Sequence, residues 1–152
     1  MTFDKQSKPV EWPSSRCCSH RITGCDVIYN VQGDLKRLLR SGSVPLTAVQ
    51  RLSVCYEASL ALSQLCAEHL VHADIAARNF LVTRSLSVKL SSVAAARGVD
   101  AGDYCELAGR LVPLRWLAPE SALAGSYTAA SDVWAYAIFV TEVGLATSSL
   151  SL

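Results

Sequence analysis

Residues 131–145, SDVWAYAIFVTEVGL, limit the folds open to this chain more than any other stretch. The pattern is helical and apolar on nearly every side, so the helix has no face to give to water and other elements must wrap it. Ser131 is placed to cap it, and Asp132 suits the positive end of the helix dipole. A central helix of this kind requires a surrounding core. The 152 residues are enough for one domain that supplies it.

Composition narrows the function classes. Apolar residues make up 51% of the chain and the net charge is +1, which argues against a disordered segment and against a polyanion-binding surface. No nucleic-acid partner is therefore expected. No apolar run reaches membrane-span length, and the opening MTFDKQSKPVEWPSSR lacks a signal-peptide core, so the expected location is cytoplasmic. The six cysteines are expected to be reduced thiols. Cys17, Cys18, His20 and Cys25 form a cluster of soft ligands, but the paired C-x-x-C spacing of a zinc site is missing and ordinary thiols are expected.

Along the chain, residues 1–24 read as a flexible arm, 25–146 as the folded unit and 147–152 as a tail. CDVIYN (25–30) has strand character, which VQGD breaks at Gly33. DLKRLLR predicts a short helix with Leu35, Leu38 and Leu39 on one side, ending at Ser41-Gly42. Thr47 and Gln50 fit a capping box. The helix that follows runs to about residue 68, with Val49, Leu52, Tyr56, Leu62, Leu65 and Cys66 at helical spacing. LVH (70–72), FLVT (80–83) and VKLS (88–91) read as small strands around a loop. Residues 95–112 have no sustained period, and a long connection of that sort is usually functional.

The loop inside this region is HADIAARN (72–79), with the spacing H-x-D-x-x-x-x-N. Phosphoryl transfer explains that spacing. An aspartate must orient the acceptor hydroxyl, and an asparagine further along must reach a magnesium ion on the nucleotide phosphates. VKLS, then LVPLRWLAPE (111–120), then SDVW (131–134) follow at matching distances.

These motifs resemble the large lobe of a protein tyrosine kinase. AAR within the loop and the PLRWLAPE string are tyrosine-kinase versions. GDLKRLLR and PLTAVQRLSVCYEASLALSQL look similar to receptor pseudokinases of the off-track, or inactive protein tyrosine kinase 7, type. The resemblance spans about residues 25–143 and implies an α+β fold, the mainly helical large lobe with a few short strands. It implies that His72 and Asp74 are the loop histidine and base, that Arg78 lies near the acceptor, and that Asn79 is the second metal ligand. Tyr29 and Leu81 would contact adenine, Glu120 belongs to the Ala-Pro-Glu anchor, and Asp132 would bond the backbone at His72 and Ala73. Tyr104 lies in the activation loop and is a possible phosphosite.

The departures from the family pattern bear on function. Ser92-Val93-Ala94 stands in place of Asp-Phe-Gly, and a neutral serine oxygen replaces the carboxylate that magnesium needs. Ala73 replaces the arginine that would capture a phosphorylated activation loop, so Tyr104 is expected to be an exposed loop residue rather than a switch. His72 and Asp132 are expected to be architectural, and Asp74 and Asn79 can serve as loop-shaping hydrogen-bond formers. The expected function is a pseudokinase scaffold that binds signalling proteins, with self-association a further possibility, and needs no cofactor. The alternative is a fragment of an active receptor tyrosine kinase using ATP and magnesium. In a receptor, the lobe would lie on the cytoplasmic side of the plasma membrane.

Overall fold

The computed structural model describes residues 31–42, 45–91, 101–107 and 109–145. The expectations on residues 1–24, the strand at 25–30, Tyr29, Ser92 and the tail at 147–152 lie outside the described residues.

Strand β1 (Val31–Asp34) passes through Gly33 instead of ending there. Gly33 sits at φ 126°, in the half of backbone space that glycine tolerates, beside a register shift that lets the strand bend and continue. Helix α1 (Leu35–Ser41) follows at once, because the Asp34 side chain accepts from Arg37 N at 2.7 Å and caps it. Gly42, left-handed, ends it.

Helix α2 (Ala48–Ala67) opens on the expected capping box: Gln50 N donates to Thr47 Oγ1 at 3.2 Å and Thr47 N to Gln50 Oε1 at 2.8 Å. Of the apolar residues at helical spacing, Leu62 packs against the core and Leu65 is half-buried, but the N-terminal ones face out. Val54 and Ala58 are buried, whereas Val49, Leu52 and Tyr56 are 75%, 70% and 64% exposed. Two polar anchors account for this orientation. Arg51 reaches the carbonyls of Val143 and Gly144, and Glu57 accepts from Ser87 Oγ at 2.7 Å and Val88 N at 2.8 Å. With both anchors turned inward, the apolar stripe opposite them faces out.

Strands β2 (Phe80–Thr83) and β3 (Val88–Leu90) join β1 in an antiparallel sheet of order β1-β2-β3. Phe80 and Val82 alternate inward. Leu70–His72 form no strand, because the His72 N–H is committed to the Asp132 carboxylate instead of a neighbouring strand. Strands β4 (Cys105–Leu107) and β5 (Arg110–Val112) make an antiparallel hairpin within a region that has no period in sequence.

Helix α3 (Pro119–Ala124) leads into α4 (Ala129–Leu145), the central helix. Here too the cap moves. Thr128 N donates to Ser131 Oγ at 2.9 Å and Ser131 N to Thr128 Oγ1 at 3.3 Å, so α4 starts earlier than Ser131 and Ser131 lies inside its first turn. Ala135, Phe139 and Val143 face the core with Leu35, Val54, Ile75, Phe80 and Val82. Phe80 and Phe139 meet at a centroid distance of 4.7 Å. The opposite side of α4 leaves Val133, Trp134, Val140 and Leu145 exposed.

Candidate functional site

The loop 72–79 crosses the N-terminal end of α4, and Asp132 holds it there. The Asp132 carboxylate accepts from His72 N at 2.7 Å through one oxygen and from Ala73 N at 2.8 Å through the other. Bonds to a charged acceptor are among the stronger ones in a protein, and they keep Ala73 at φ 65°, a conformation that costs an L-residue energy. His72 Nε2 lies 2.9 Å from Ser91 O, so that nitrogen carries the proton, while Nδ1 is buried without a partner among the described residues.

A single helical turn over Ala77–Asn79 then aims Arg78 and Asn79 back at Asp74. Asn79 Nδ2 donates to Asp74 O at 2.6 Å, and its Oδ1 is buried with no partner among the described residues. Arg78 Nη2 pairs with Asp74 Oδ1, Nη1 donates to Asp103 at 3.2 Å and Nε to Tyr104 Oη at 3.0 Å. The guanidinium carbon lies 4.2 Å from the Trp116 ring and 4.8 Å from the Tyr104 ring. Burial opposes the Arg78 charge, but Asp74, Tyr104 and Asp103 together hold its pKa above the ordinary arginine value.

Tyr104 corrects the expectation of an exposed loop residue. It is buried, and its hydroxyl donates to Asp74 Oδ2 at 2.5 Å. Burial, reinforced by that bond, pushes its phenol up to about 12. Both oxygens of Asp74 are thus occupied from within the chain. The residue before Tyr104, Asp103, also pairs with Lys36 of α1, which fastens the segment across the front of the loop.

The remaining sites lie apart from this cluster. Leu81 is half-buried and pairs with Asp34 and Lys89 in the sheet. Glu120 is exposed in the first turn of α3, and no ion pair holds it among the described residues. Reading the sequence alone misses four participants: Lys36, Asp103, Trp116 and Glu142. Glu142 left a signal, as the only charge in the apolar run 133–145, and such a carboxylate must find buried donors. Its Oε2 accepts from Ala77 N and from Trp116 Nε1, both at 3.0 Å.

Asn79 Oδ1 is buried with no partner among the described residues, and both carboxylate oxygens of Asp74 are engaged. Among the described residues, no group of three or more His, Cys, Asp or Glu side chains could hold a metal.

A central helix whose aspartate clasps an H-x-D-x-x-x-x-N loop, beside a short three-stranded sheet and an Ala-Pro-Glu helix, defines a protein-kinase large lobe. Residues 17–149 match the model of the protein tyrosine and serine/threonine kinase family, and the chain belongs to that family. It is 36% identical over 119 residues to the human inactive tyrosine-protein kinase 7, covering 73% of this chain and 11% of that protein. It is 36% identical over 120 residues to the Drosophila melanogaster tyrosine-protein kinase transmembrane receptor Ror, covering 76% and 18%. It is 33% identical over 130 residues to the rat high affinity nerve growth factor receptor, covering 76% and 16%. The chain thus spans less than a fifth of the length of these relatives.

Proposed function

We propose that this lobe is a pseudokinase, a tyrosine-kinase-like scaffold that engages signalling proteins and transfers no phosphate. The reading is carried by Ser92, which stands where the metal-bridging carboxylate is needed. Phosphoryl transfer depends on positioning and charge stabilisation, and losing one such contact costs about a hundredfold to a thousandfold in rate. The closed loop supports the same reading, since the base position at Asp74 is bonded to Arg78 and Tyr104. The similarity to proteins named inactive tyrosine-protein kinase 7 agrees with it. No cofactor is required in this role, and the lobe works on the cytoplasmic side of a membrane if a receptor carries it. No helix among the described residues is long and apolar enough to cross a membrane.

One observation favours the alternative, a piece of an active receptor tyrosine kinase using ATP and magnesium. Asn79 keeps an oxygen without a partner among the described residues, one that a metal ion could take. Phosphate incorporation into a poly-Glu/Tyr substrate separates the two readings, with Asp74→Asn as control. No incorporation is expected, and Ser92→Asp alone should not create it. Activity that Asp74→Asn abolishes overturns the pseudokinase reading. Calorimetry with ATP gives a second measure: binding should be weak and unchanged by magnesium.

A further inference from the structure

Glu142 serves none of the roles discussed so far. It is the only charge in 133–145, and one of its oxygens receives two donors from two different elements. Ala77 N comes from the loop, one residue ahead of Arg78. Trp116 Nε1 comes from the turn that precedes α3, and the Trp116 ring is the surface on which the Arg78 guanidinium rests. No direct ion pair joins Glu142 to Arg78 among the described residues. Beyond the attraction of the two charges through space, its hold on Arg78 runs through the backbone at Ala77 and the indole of Trp116.

We infer that Glu142 is a positioning residue: through Ala77 and Trp116 it sets where Arg78 lies, and so whether Arg78 can hold Tyr104 on Asp74. The inference rests on the closed, non-transferring lobe proposed above. Arg78 must serve Asp74, Asp103 and Tyr104 at once, and three partners in different directions tolerate little displacement of the guanidinium. Losing the indole anchor frees the ring to slide, and losing the Ala77 bond frees the turn that carries Arg78. Ala77 and Trp116 belong to the same buried cluster as Phe139 and Val143, so the conservative variants Glu142→Gln and Trp116→Phe, which keep that packing, separate positioning from core stability.

Several charged groups surround Glu142. Arg78 acts on it from the loop and Asp103 from the 101–107 segment; Asp74 is paired with Arg78, and Lys36 of α1 with Asp103. Arg51 of α2 sits beside it on the carbonyls of Val143 and Gly144. Burial pushes the Glu142 carboxyl above the usual carboxylate range, against the pull of its two donors and of Arg78. It therefore gains a proton before exposed carboxylates do as the pH falls, and the neutral form is the poorer acceptor.

The test uses the whole chain and two readouts. Added active tyrosine kinase phosphorylates Tyr104 at a rate set by how often that residue leaves the site. Glu142→Ala should raise the rate about tenfold, as expected for a lost bond to a charged acceptor. Glu142→Gln, which keeps an acceptor oxygen, should restore most of the protection. Trp116→Phe, which keeps a ring under Arg78 without the N–H, should fall between the two. In the second readout, the Trp116 indole N–H resonance, identified by its loss in Trp116→Phe, should move as the pH is lowered in the wild type and stay fixed in Glu142→Gln. Should Glu142→Ala fail to fold, the Gln and Phe variants with the pH profile decide. Wild-type phosphorylation rates in folded Glu142→Ala or Trp116→Phe, or the same indole titration in Glu142→Gln, overturn the positioning role. Phosphate transfer by the chain itself would instead overturn the functional reading and leave these rates in place.

Discussion

A phenol buried from water that donates to an aspartate is hard to ionise, even with an arginine beside it that favours the phenolate. The Tyr104 pKa lies near 12 against an ordinary value of 10.0, so its folded form holds the proton more tightly than the unfolded chain does. Its contribution to stability is full below the unfolded value and is lost as the pH rises through the folded one. Absorbance titration should find a phenolate that forms in that upper window, and Tyr104→Phe should remove it. A phosphate on Tyr104 acts in the opposite direction to the buried hydrogen bond. It adds about two negative charges beside Asp74 and Asp103, where Arg78 and Lys36 are already paired. Amide exchange across 101–107 should therefore accelerate on phosphorylation, and unchanged exchange would show that the segment accommodates the charge. This part of the site was only partly legible. His72, Asp74, Arg78 and Asn79 lie within one run of eight residues, so their proximity follows from sequence. Tyr104 is 30 residues from Asp74, in a stretch rich in Gly and Ala, and nothing local indicates that it folds back.

At the level of elements, the junction between α4 and the loop rests on Asp132. Asp132→Ala removes two bonds from a buried carboxylate and leaves two N–H groups without partners, a loss of about 3 kcal/mol or more. A urea melt should place it among the most destabilising single changes in the chain. Ala73→Gly tests the same junction from the other side. At φ 65° the alanine is strained, so glycine should stabilise the fold by about 0.5–1 kcal/mol, read as a higher urea midpoint at unchanged slope. Sequence signals served the helices unevenly. The Thr47–Gln50 box is local, and reading it needed nothing beyond three residues of chain. The direction in which α2 faces depends on partners of Arg51 and Glu57 that lie far along the chain, so periodicity alone does not tell that Val49, Leu52 and Tyr56 face out while Leu62 packs inward. The cap at Thr128 was overlooked because Ser131 is also a good cap residue, and only the reciprocal bond distinguishes them.

Among the described residues, two helices present stripes of apolar surface. Val49, Leu52, Tyr56 and Leu60 form a stripe on α2, and Val133, Trp134 and Val140 lie along the outer side of α4. Each large side chain so exposed forgoes about 1.5–3 kcal/mol of burial, and three or four together rival the roughly 5–15 kcal/mol that holds a domain folded. We expect the chain to self-associate or to bind a partner that covers this surface. Size-exclusion chromatography checks this: elution as a clean monomer with a sharp thermal transition would contradict it, and Leu52→Ser with Val140→Ser should shift the profile towards monomer. The α2 stripe has a further consequence in how any such association responds to its surroundings. Arg51 and Glu57, the only charged residues between Ala48 and Ala67, are both turned inward, so the stripe carries no ion at neutral pH. Contact through it is governed by water and not by screening. Added sulfate should tighten it where an ionic interface would loosen, and chilling the sample should dissolve assemblies that form on the bench, because the apolar driving force fades in the cold.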